Sequence, residues 1–442
     1  MDFSASIDKL QAGQINDVQS RLLKDSVQYA YDNSPFYRKR FNEHGVLPSD
    51  IKDIDDIKIL PLTEKDDLQQ DNWSFLSVPR REIAEIVSTT GTTGSPVFIA
   101  LTQSDLERLA VNEEKSFGYA GAAKGDIFNI AVTCDNLFIA GIAYYKGLSR
   151  LGATLLRLGP QNILRHLDIM RKLKPDGIVA VPSFMVHLAR RAADNGIHPG
   201  ELGIRKIVLI GDSIRDTDLS TNALGNLIEN AFGKICYSTY GITEAQLSFC
   251  ECGMQQGLHS HPDLVLTEII DDEGRALPDG EMGELVLTPL KLEGMPLIRY
   301  RTGDITFRLS TACGCGRSSV RIGPIIGRKQ QKLKVKGVTL YPKNIENAVM
   351  GLEDVVNYQI EAYTGDDRTD HIILRIGTNV QNGNFMVALK DLVHAKARVT
   401  PEIEIERPEE IEKRLFEGNS RKAVTFKDRR RKAHEQCHTH HA

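Results

Sequence analysis

Apolar residues recur at helical spacing through residues 7–43, and the pattern breaks and restarts around NSPFYRKRF, which predicts a mostly helical lead-in with a restart after Asp32. From residue 83 to about residue 241 the grammar changes to short apolar runs alternating with amphipathic stretches. Strands are predicted at IFNIAVT (127–133), ATLLRLG (153–159), GIVAVPS (177–183) and KIVLIG (206–211), with helices around 105–119, 163–174, 185–195 and 217–232. Such alternation predicts a largely parallel sheet covered by helices on both faces. After Tyr240 the runs shorten and turn residues multiply, as in LVLTEIID, GELVLTPL and LIRYRTGDI, the signature of an antiparallel, β-rich subdomain. From Gly327 onward a β, α, β, β, α, β series reads as a small α+β domain of about 115 residues, with the polar GRKQQK stretch as its linker. The final KDRRRKAHEQCHTHHA is polar and is expected to fray.

The fold class is therefore α/β. A large N-terminal domain, residues 1–326, has mostly parallel sheets flanked by helices and a β-rich subdomain at about 245–326; a small α+β C-terminal domain covers 327–442. Composition adds exclusions. With 442 residues the chain is long enough for two cores, and 55 basic against 59 acidic side chains leave a net charge of −4, which favours neither a nucleic-acid nor a membrane partner. No apolar run approaches the roughly 18 residues of a membrane span. The N-terminus MDFSASIDKLQ is acidic and amphipathic rather than signal-like, so a cytoplasmic location is expected, where clustered cysteines point to metal or catalysis rather than disulfides.

Four stretches carry candidate chemistry. STTGTTGSP (88–96) follows an apolar run and is dense enough in Gly, Ser and Thr to turn N–H and hydroxyl groups toward a phosphate, although it lacks the Lys of a Walker loop and a Ser/Thr-rich turn explains it equally well. Gly211, Asp212 and Ser213 end a strand on the edge where open α/β sheets bind ligands; the plainer reading makes Ser213 a helix N-cap. In YSTYGITEAQ (237–246), Tyr240 offers a ring for a purine, and Thr243 with Glu244 offer hard oxygens for phosphate and Mg²⁺; a turn with a capped helix is the structural alternative. YRTGD (300–304) ends a strand in a turn whose Asp304 suits two ribose hydroxyls, while a type I or II turn explains it in isolation.

The order of these pieces, followed by GRKQQKLKVKGVTLYP and SRKAVTFK, resembles the adenylate-forming acyl-CoA ligases, and NSPFYRKRF, LPLTEKDDL and TTGTTGSP resemble their phenylacetate-CoA ligase group. The resemblance spans roughly residues 29–430. It implies a ligase that uses ATP to activate a small carboxylic acid as acyl-AMP and transfers the acyl group to coenzyme A. Ser88, Thr89, Thr90, Gly91, Thr92, Thr93 and Gly94 match the phosphate loop; Gly211, Asp212 and Ser213 the adenine-side segment; Tyr240 and Gly241 the stacking segment; Thr243 and Glu244 the phosphate and Mg²⁺ pair. Asp304 matches the ribose carboxylate, Arg328 the linker arginine and Lys422 the catalytic lysine of a mobile small domain.

Departures from the family pattern are specific. Ser95 stands where a loop lysine is usual, Gln330 and Gln331 where linker acids are usual, and Arg421 where glycine precedes the lysine. Cys134, Asp135 and Asn136 stand where the phenylacetate enzymes have an aromatic Tyr-Gly pair before Leu137 and Phe138, so the resemblance implies a small carboxylic acid without fixing it as an aryl one. The resemblance also favours a zinc staple. Cys250 and Cys252, Cys313 and Cys315, and His259 and His261 of GLHSHPD supply the donors, with Cys252, His259, Cys313 and Cys315 expected as ligands and Cys250 or His261 as substitutes. The alternative is unpaired buried cysteines behaving as small hydrophobes. Cys134, Cys236 and Cys437 have no evident partners. Rival readings pass the acyl group or AMP to a carrier protein or a cofactor, as in F390 synthetases, or retain nucleotide binding without catalysis. A homodimer is the default assembly.

Overall fold

The computed structural model describes residues 7–89, 96–309, 311–335, 338–350, 352, 354–365, 369–380, 383–417 and 423–430, and the chain divides into two compact units, the first of residues 1–221 and 225–325 and the second of residues 326–442 with the short segment 222–224. The lead-in forms helices Ala12–Asn33 and Pro35–Glu43. Ser34 separates them: its extended backbone stops the first helix, its side chain accepts from Tyr37 N at 3.4 Å, and Pro35 starts the second helix where its missing N–H costs nothing. Leu23, Val27, Tyr37 and Phe41 are wholly buried against Phe75, the hairpin residues Val87 and Ile99, and Leu297, so residues hundreds of positions apart share one core.

The predicted strands are present, though shorter than their apolar runs. The central sheet has the order Arg321–Ile322, Leu258–His259, Leu247–Glu251, Cys236–Ile242, Lys206–Leu209, Gly177–Ala180, Ile127–Ile130, Thr154–Arg157. The last five are parallel; the first three return antiparallel. The strand order reverses at Ile127–Ile130, which leaves a crevice at the carboxyl ends of the strands. Gly177 lies under the Phe128 ring, where a Cβ would stand 2.3 Å from a ring carbon.

Two expectations fail here. The helix foreseen from residue 217 begins at Ala223, ten residues after Ser213 (223 − 213), whose hydroxyl accepts from Arg215 N at 3.2 Å in an irregular loop. YSTYGITEAQ does not follow a strand but largely is one, Cys236–Ile242, folded back through a four-residue turn onto Leu247–Glu251, with Tyr240 opposite Phe249. The turn is possible without a helix because Gln246 adopts a left-handed φ of 51° and returns its N–H to Thr243 O at 3.1 Å.

Beside this sheet, Val265–Ile270, Met282–Pro289 and Tyr300–Phe307 run antiparallel, as the turn-rich pattern predicted. YRTGD does not end the last of these strands. It forms a bulge inside it, between pairs Glu284↔Ile305 and Val286↔Arg301, with Gly303 at φ 73°.

The second unit contains the hairpin Leu333–Val335/Val338–Leu340, helix Pro342–Val349, strands Asn357–Thr364 and Asp370–Gly377, helix Gly383–Ala397 and strand Glu402–Glu406. The single strand expected at LKVKGVTLY is thus a hairpin. A further helix, Pro408–Leu415, and an edge strand, Phe426–Asp428, extend the predicted series. That last strand pairs parallel with Asn357–Thr364, and Arg430 donates to Asp370 at 3.2 Å and Asp428 at 2.7 Å, so the start of the tail is built into the sheet. Among the described residues no helix is long and apolar enough to cross a membrane.

Helix Gln103–Tyr119 packs on helix Ile139–Leu151 and on the central sheet. Gly147 admits the close approach, since a Cβ there would stand 2.3 Å from Glu113 Cβ. Burial pushes the Glu113 carboxyl up to about 8, against a hydrogen bond with Ser248 that lowers it. The folded state therefore holds a proton that the unfolded state releases near 4.5. Its stabilising contribution is complete below that value and is lost as pH rises toward 8. Glu113→Gln should flatten the fall in stability between those two pH values, measured by urea denaturation across that range.

Candidate active site and metal cluster

Three segments far apart in sequence meet at one edge of the first unit. The hairpin Cys236–Ile242/Leu247–Glu251 brings Tyr240 and Glu244; the bulge brings Asp304; the short helix Lys65–Gln70 brings Lys65. All but Lys65 are among the residues expected from the sequence. The Tyr240 hydroxyl donates to Asp304 Oδ2 at 2.7 Å, and Glu244 Oε1 accepts from the Tyr300 hydroxyl at 3.4 Å and faces Lys65 Nζ at 3.5 Å. Tyr240, Glu244, Tyr300 and Asp304 are all buried.

Each position is fixed by a local device. Glu284 accepts two bonds from Arg301, at 3.0 and 2.5 Å, and one from Gly303 N at 3.2 Å; Thr302 Oγ1 donates to Leu285 O at 2.8 Å and accepts from Asp304 N at 3.1 Å. The bulge is thereby held on both sides. Thr63 is clamped in turn: its N–H donates to Arg299 O at 3.0 Å, its C=O accepts from Arg301 N at 2.8 Å, and its hydroxyl donates to Ile298 O at 2.7 Å. Glu64 pairs with Arg301 at 3.0 Å. These bonds put the next residue, Lys65, against Glu244. In the sequence Lys65 is one lysine of LPLTEKDDL, and only a contact with a residue 179 positions away (244 − 65) distinguishes it.

Of the phosphate loop, Ser88 and Thr89 are described; Thr90, Gly91, Thr92, Thr93, Gly94 and Ser95 lie outside the described residues. The loop's base is a hairpin, Glu85–Ser88 against Phe98–Leu101. Thr89 N donates to Val97 O at 3.0 Å and Thr89 Oγ1 accepts from Val97 N at 3.1 Å, which closes the loop's ends. Ser88 N also donates to Leu137 O at 2.9 Å, tying the base to the loop that follows the central strand Ile127–Ile130. There Asn136 and Leu137 both hold positive φ, at 56° and 58°. Gly211, φ 86°, and Asp212 lie at the carboxyl end of Lys206–Leu209. Arg215 secures that segment through Glu251 at 3.0 Å and Glu229 at 3.1 Å. Thr243 and Gly241 lie in and beside the hairpin turn. Arg328 is exposed in the second unit, on the short strand Gly327–Arg328. Lys422 and Arg421 lie outside the described residues.

The cysteine pairs resolve into one cluster. The ligand atoms of Cys252, His259, Cys313 and Cys315 all lie within 4.8 Å of one another, with Cys252 Sγ and Cys313 Sγ 3.6 Å apart and Cys315 Sγ and His259 Nε2 3.5 Å apart. A tetrahedral zinc with Zn–S bonds of about 2.3 Å requires S···S spacings of about 3.8 Å, so the four donors fit the ion. The far nitrogen of the imidazole, His259 Nδ1, meets Ser319 Oγ at 2.9 Å, an arrangement that orients a histidine ligand. Burial, then the charges of Arg321 and Arg317, pushes His259 down to about 4, which keeps its imidazole neutral. Burial acts to raise the Cys315 thiol, but hydrogen bonds with the backbone and side chain of Arg317 and with its two cysteine neighbours bring it below the ordinary value.

The substitutes are excluded by their surroundings. His261 uses Nε2 on Ser116 Oγ at 2.9 Å and Nδ1 on the Tyr119 hydroxyl at 3.3 Å. Cys250 is packed among Phe117, Phe128, Val179 and Val208.

Comparison with known proteins gives the same class. Residues 14–289 match the family model of the AMP-binding enzymes. The chain is 34% identical over 367 residues to a phenylacetate-coenzyme A ligase of Thermus thermophilus, covering 81% of each chain, and 33% identical over 382 residues to one of Pseudomonas putida, covering 84% of this chain and 83% of that one. Its fold is similar to the crystal structure of 2-hydroxyisobutyryl-CoA ligase in the postadenylation state, with a TM-score of 0.83, 22% identity and coverage of 98% of this chain and 94% of that one. The chain belongs to the AMP-binding, adenylate-forming enzymes and, among them, to the phenylacetate-CoA ligase family.

The bond between Tyr240 and Asp304 joins the two sheets at this edge. Tyr240→Phe should lower stability by about 1.5–3 kcal/mol, the range for a hydrogen bond to a charged group, as measured by chemical denaturation.

Proposed function

We propose that this chain activates a small carboxylic acid, with phenylacetate and other aryl acids as the first candidates, and that Glu244, Asp304, Tyr240 and Lys65 form the nucleotide side of its site. The chain is an AMP-forming acid–CoA ligase. The observation that carries the assignment of residues is the convergence of Glu244, Asp304 and Tyr240, with a lysine added, at the carboxyl edge of the parallel sheet.

In the first half-reaction a substrate carboxylate oxygen bonds to the α-phosphorus of ATP and the bond to the β-phosphate oxygen breaks, so pyrophosphate leaves with the electron pair. In the second, the sulfur of coenzyme A bonds to the acyl carbon, the C–O bond to AMP breaks and the thiol proton is lost. The chain's contribution is orientation and charge. We assign Ser88, Thr89, Thr90, Gly91, Thr92, Thr93 and Gly94 to the phosphates, Gly211, Asp212 and Ser213 to the adenine side, Tyr240 and Gly241 to the purine face and Asp304 to the ribose. Because the Tyr240 hydroxyl is bonded to Asp304, the ring would act edge-fixed rather than as a freely rotating platform. Arg328 and Lys422, both on the small domain, would complete the site for adenylation, with domain movement admitting the thiol.

Glu244 and Thr243 would hold Mg²⁺ together with substrate phosphates; one buried carboxylate plus a hydroxyl is a suitable hard-oxygen set, and the ion would neutralise triphosphate charge. Lys65 supplies a cation that Ser95 does not. Zinc held by Cys252, His259, Cys313 and Cys315 would have four protein ligands and hence a structural role. We further propose a cytoplasmic homodimer with no nucleic-acid or membrane partner.

Pyrophosphate exchange across a panel of aryl, alkyl and hydroxy acids, followed by thioester detection with coenzyme A, tests the reading. Exchange without thioester would favour a carrier protein or cofactor as acceptor, and nucleotide binding without exchange would favour a non-catalytic homologue. Lys65→Ala should lower kcat/KM for ATP by about ten- to a hundredfold in that assay; an unchanged value would remove Lys65 from the site. Metal analysis should find one zinc per chain, and Cys313→Ser should lower both the zinc content and the melting temperature.

A further inference from the structure

Helix Gln103–Tyr119 carries the largest fully buried side chain of the described residues, Arg108. Its three hydrogen-bond partners are main-chain carbonyls. Nε donates to Leu290 O at 2.7 Å, Nη1 to Gln246 O at 3.0 Å, and Nη2 to Leu264 O. These carbonyls come from the turn after Glu244, from the residue before strand Val265–Ile270 and from the residue after strand Met282–Pro289. One guanidinium thus fixes the hairpin turn relative to the antiparallel strands beside it. A lysine, with its donors on a single atom, cannot reproduce that fork.

The turn requires an external anchor. Gln246 holds a left-handed φ of 51°, unfavourable for a side chain of its kind. Its side-chain amide is wholly buried with neither Oε1 nor Nε2 hydrogen-bonded, so the residue's own side chain does not secure it. The anchor continues along the same helix face at intervals of four. Asn112 Nδ2 donates to Ser248 O at 3.3 Å, Asn112 Oδ1 accepts from Ser248 N at 2.8 Å, and Ser116 Oγ meets Ser248 Oγ at 3.1 Å. The helix therefore holds the strand that leaves the turn at residues 246 and 248, while Glu244 lies two residues before the first of these contacts.

We propose that Arg108 is a positioning residue for adenylation: through Gln246 O it holds the turn that presents Thr243 and Glu244. The inference rests on the role of Glu244 proposed above. Without the guanidinium the turn loses its tie to the neighbouring strands, and the Glu244 carboxylate loses its fixed place beside Tyr300 and Lys65.

The test uses the full chain and pyrophosphate exchange with ATP, the best acid of the panel and a titration of Mg²⁺, alongside circular dichroism and thermal melting. Arg108→Lys should remain folded with a lower melting temperature. Its exchange kcat should fall about ten- to a hundredfold, as a misplaced catalytic group does, and its half-saturating Mg²⁺ should rise severalfold, which a loss of stability alone would not cause. A folded Arg108→Lys with native kcat and Mg²⁺ dependence overturns the inference. Should Arg108→Lys not fold, Asn112→Ala loosens the same strand two residues further on and should raise the Mg²⁺ requirement by a smaller factor; native values there overturn the inference equally. Glu244→Gln separates the two layers. If it abolishes exchange while folded Arg108→Lys exchanges normally, only the positioning inference fails; if Glu244→Gln exchanges normally, the Glu244 assignment fails and takes the inference with it.

Discussion

A charged group removed from water must find partners or be neutralised, and that constraint organises the first unit. Asp304 takes the Tyr240 hydroxyl, Glu244 takes Tyr300 and Lys65, Glu284 takes Arg301 and Gly303 N, and Glu251 takes Arg215 and Ser238 N. Arg108 donates its hydrogen bonds to backbone carbonyls, with the charges of Asp105 and Asp263 also acting on it, and Glu113 solves the same problem by retaining a proton. Because each partner lies on a different segment, every satisfied charge is also a tie between segments. The candidate site stands where several such ties meet.

The same helix serves both ends of this arrangement. Arg108, Asn112 and Ser116 face the hairpin, and one turn further on Tyr119 lies edge-on to the His259 ring with a centroid separation of 5.7 Å. Tyr119 also donates to Asp8 at 2.7 Å, and Arg317 stacks 4.0 Å over its ring. The Cys/His cluster and the hairpin turn thus share one rigid support. A metal held by the cluster would brace the segments around Cys313 and Cys252, where Tyr119, Cys252 and Cys313 form a small buried apolar group of their own.

The class of protein was legible from the order of its motifs, and the alternating apolar runs were legible as a parallel sheet because both rest on local pattern. What failed to read were features set by distant partners. TEAQ (243–246) is compatible with the capped helix that YSTYGITEAQ offered as an alternative; it forms a turn, and Arg108 and Asn112, far away in sequence, hold that turn and the returning strand. YRTGD reads as a strand end, yet it is a bulge because Glu284 binds both Arg301 and Gly303 N. The tail's polar composition predicted fraying; residues 431–442 lie outside the described residues, but at its start Phe426–Asp428 adds a parallel edge strand to the small sheet and Arg429 pairs with buried Glu361 at 2.9 Å.

Sequence alone determined the α/β class, the motif order that marks an adenylate-forming ligase and the set of residues from which a metal cluster can be drawn, since residue type and spacing along the chain suffice for each. Tertiary structure decided which four of six cysteine and histidine donors converge, because His261 and Cys250 are removed only by what packs against them. It also decided that Lys65 faces Glu244 and that Arg108 anchors the turn. Neither is encoded by neighbours in the chain. Both arise where the burial of charge forces segments separated by more than a hundred residues to share hydrogen bonds.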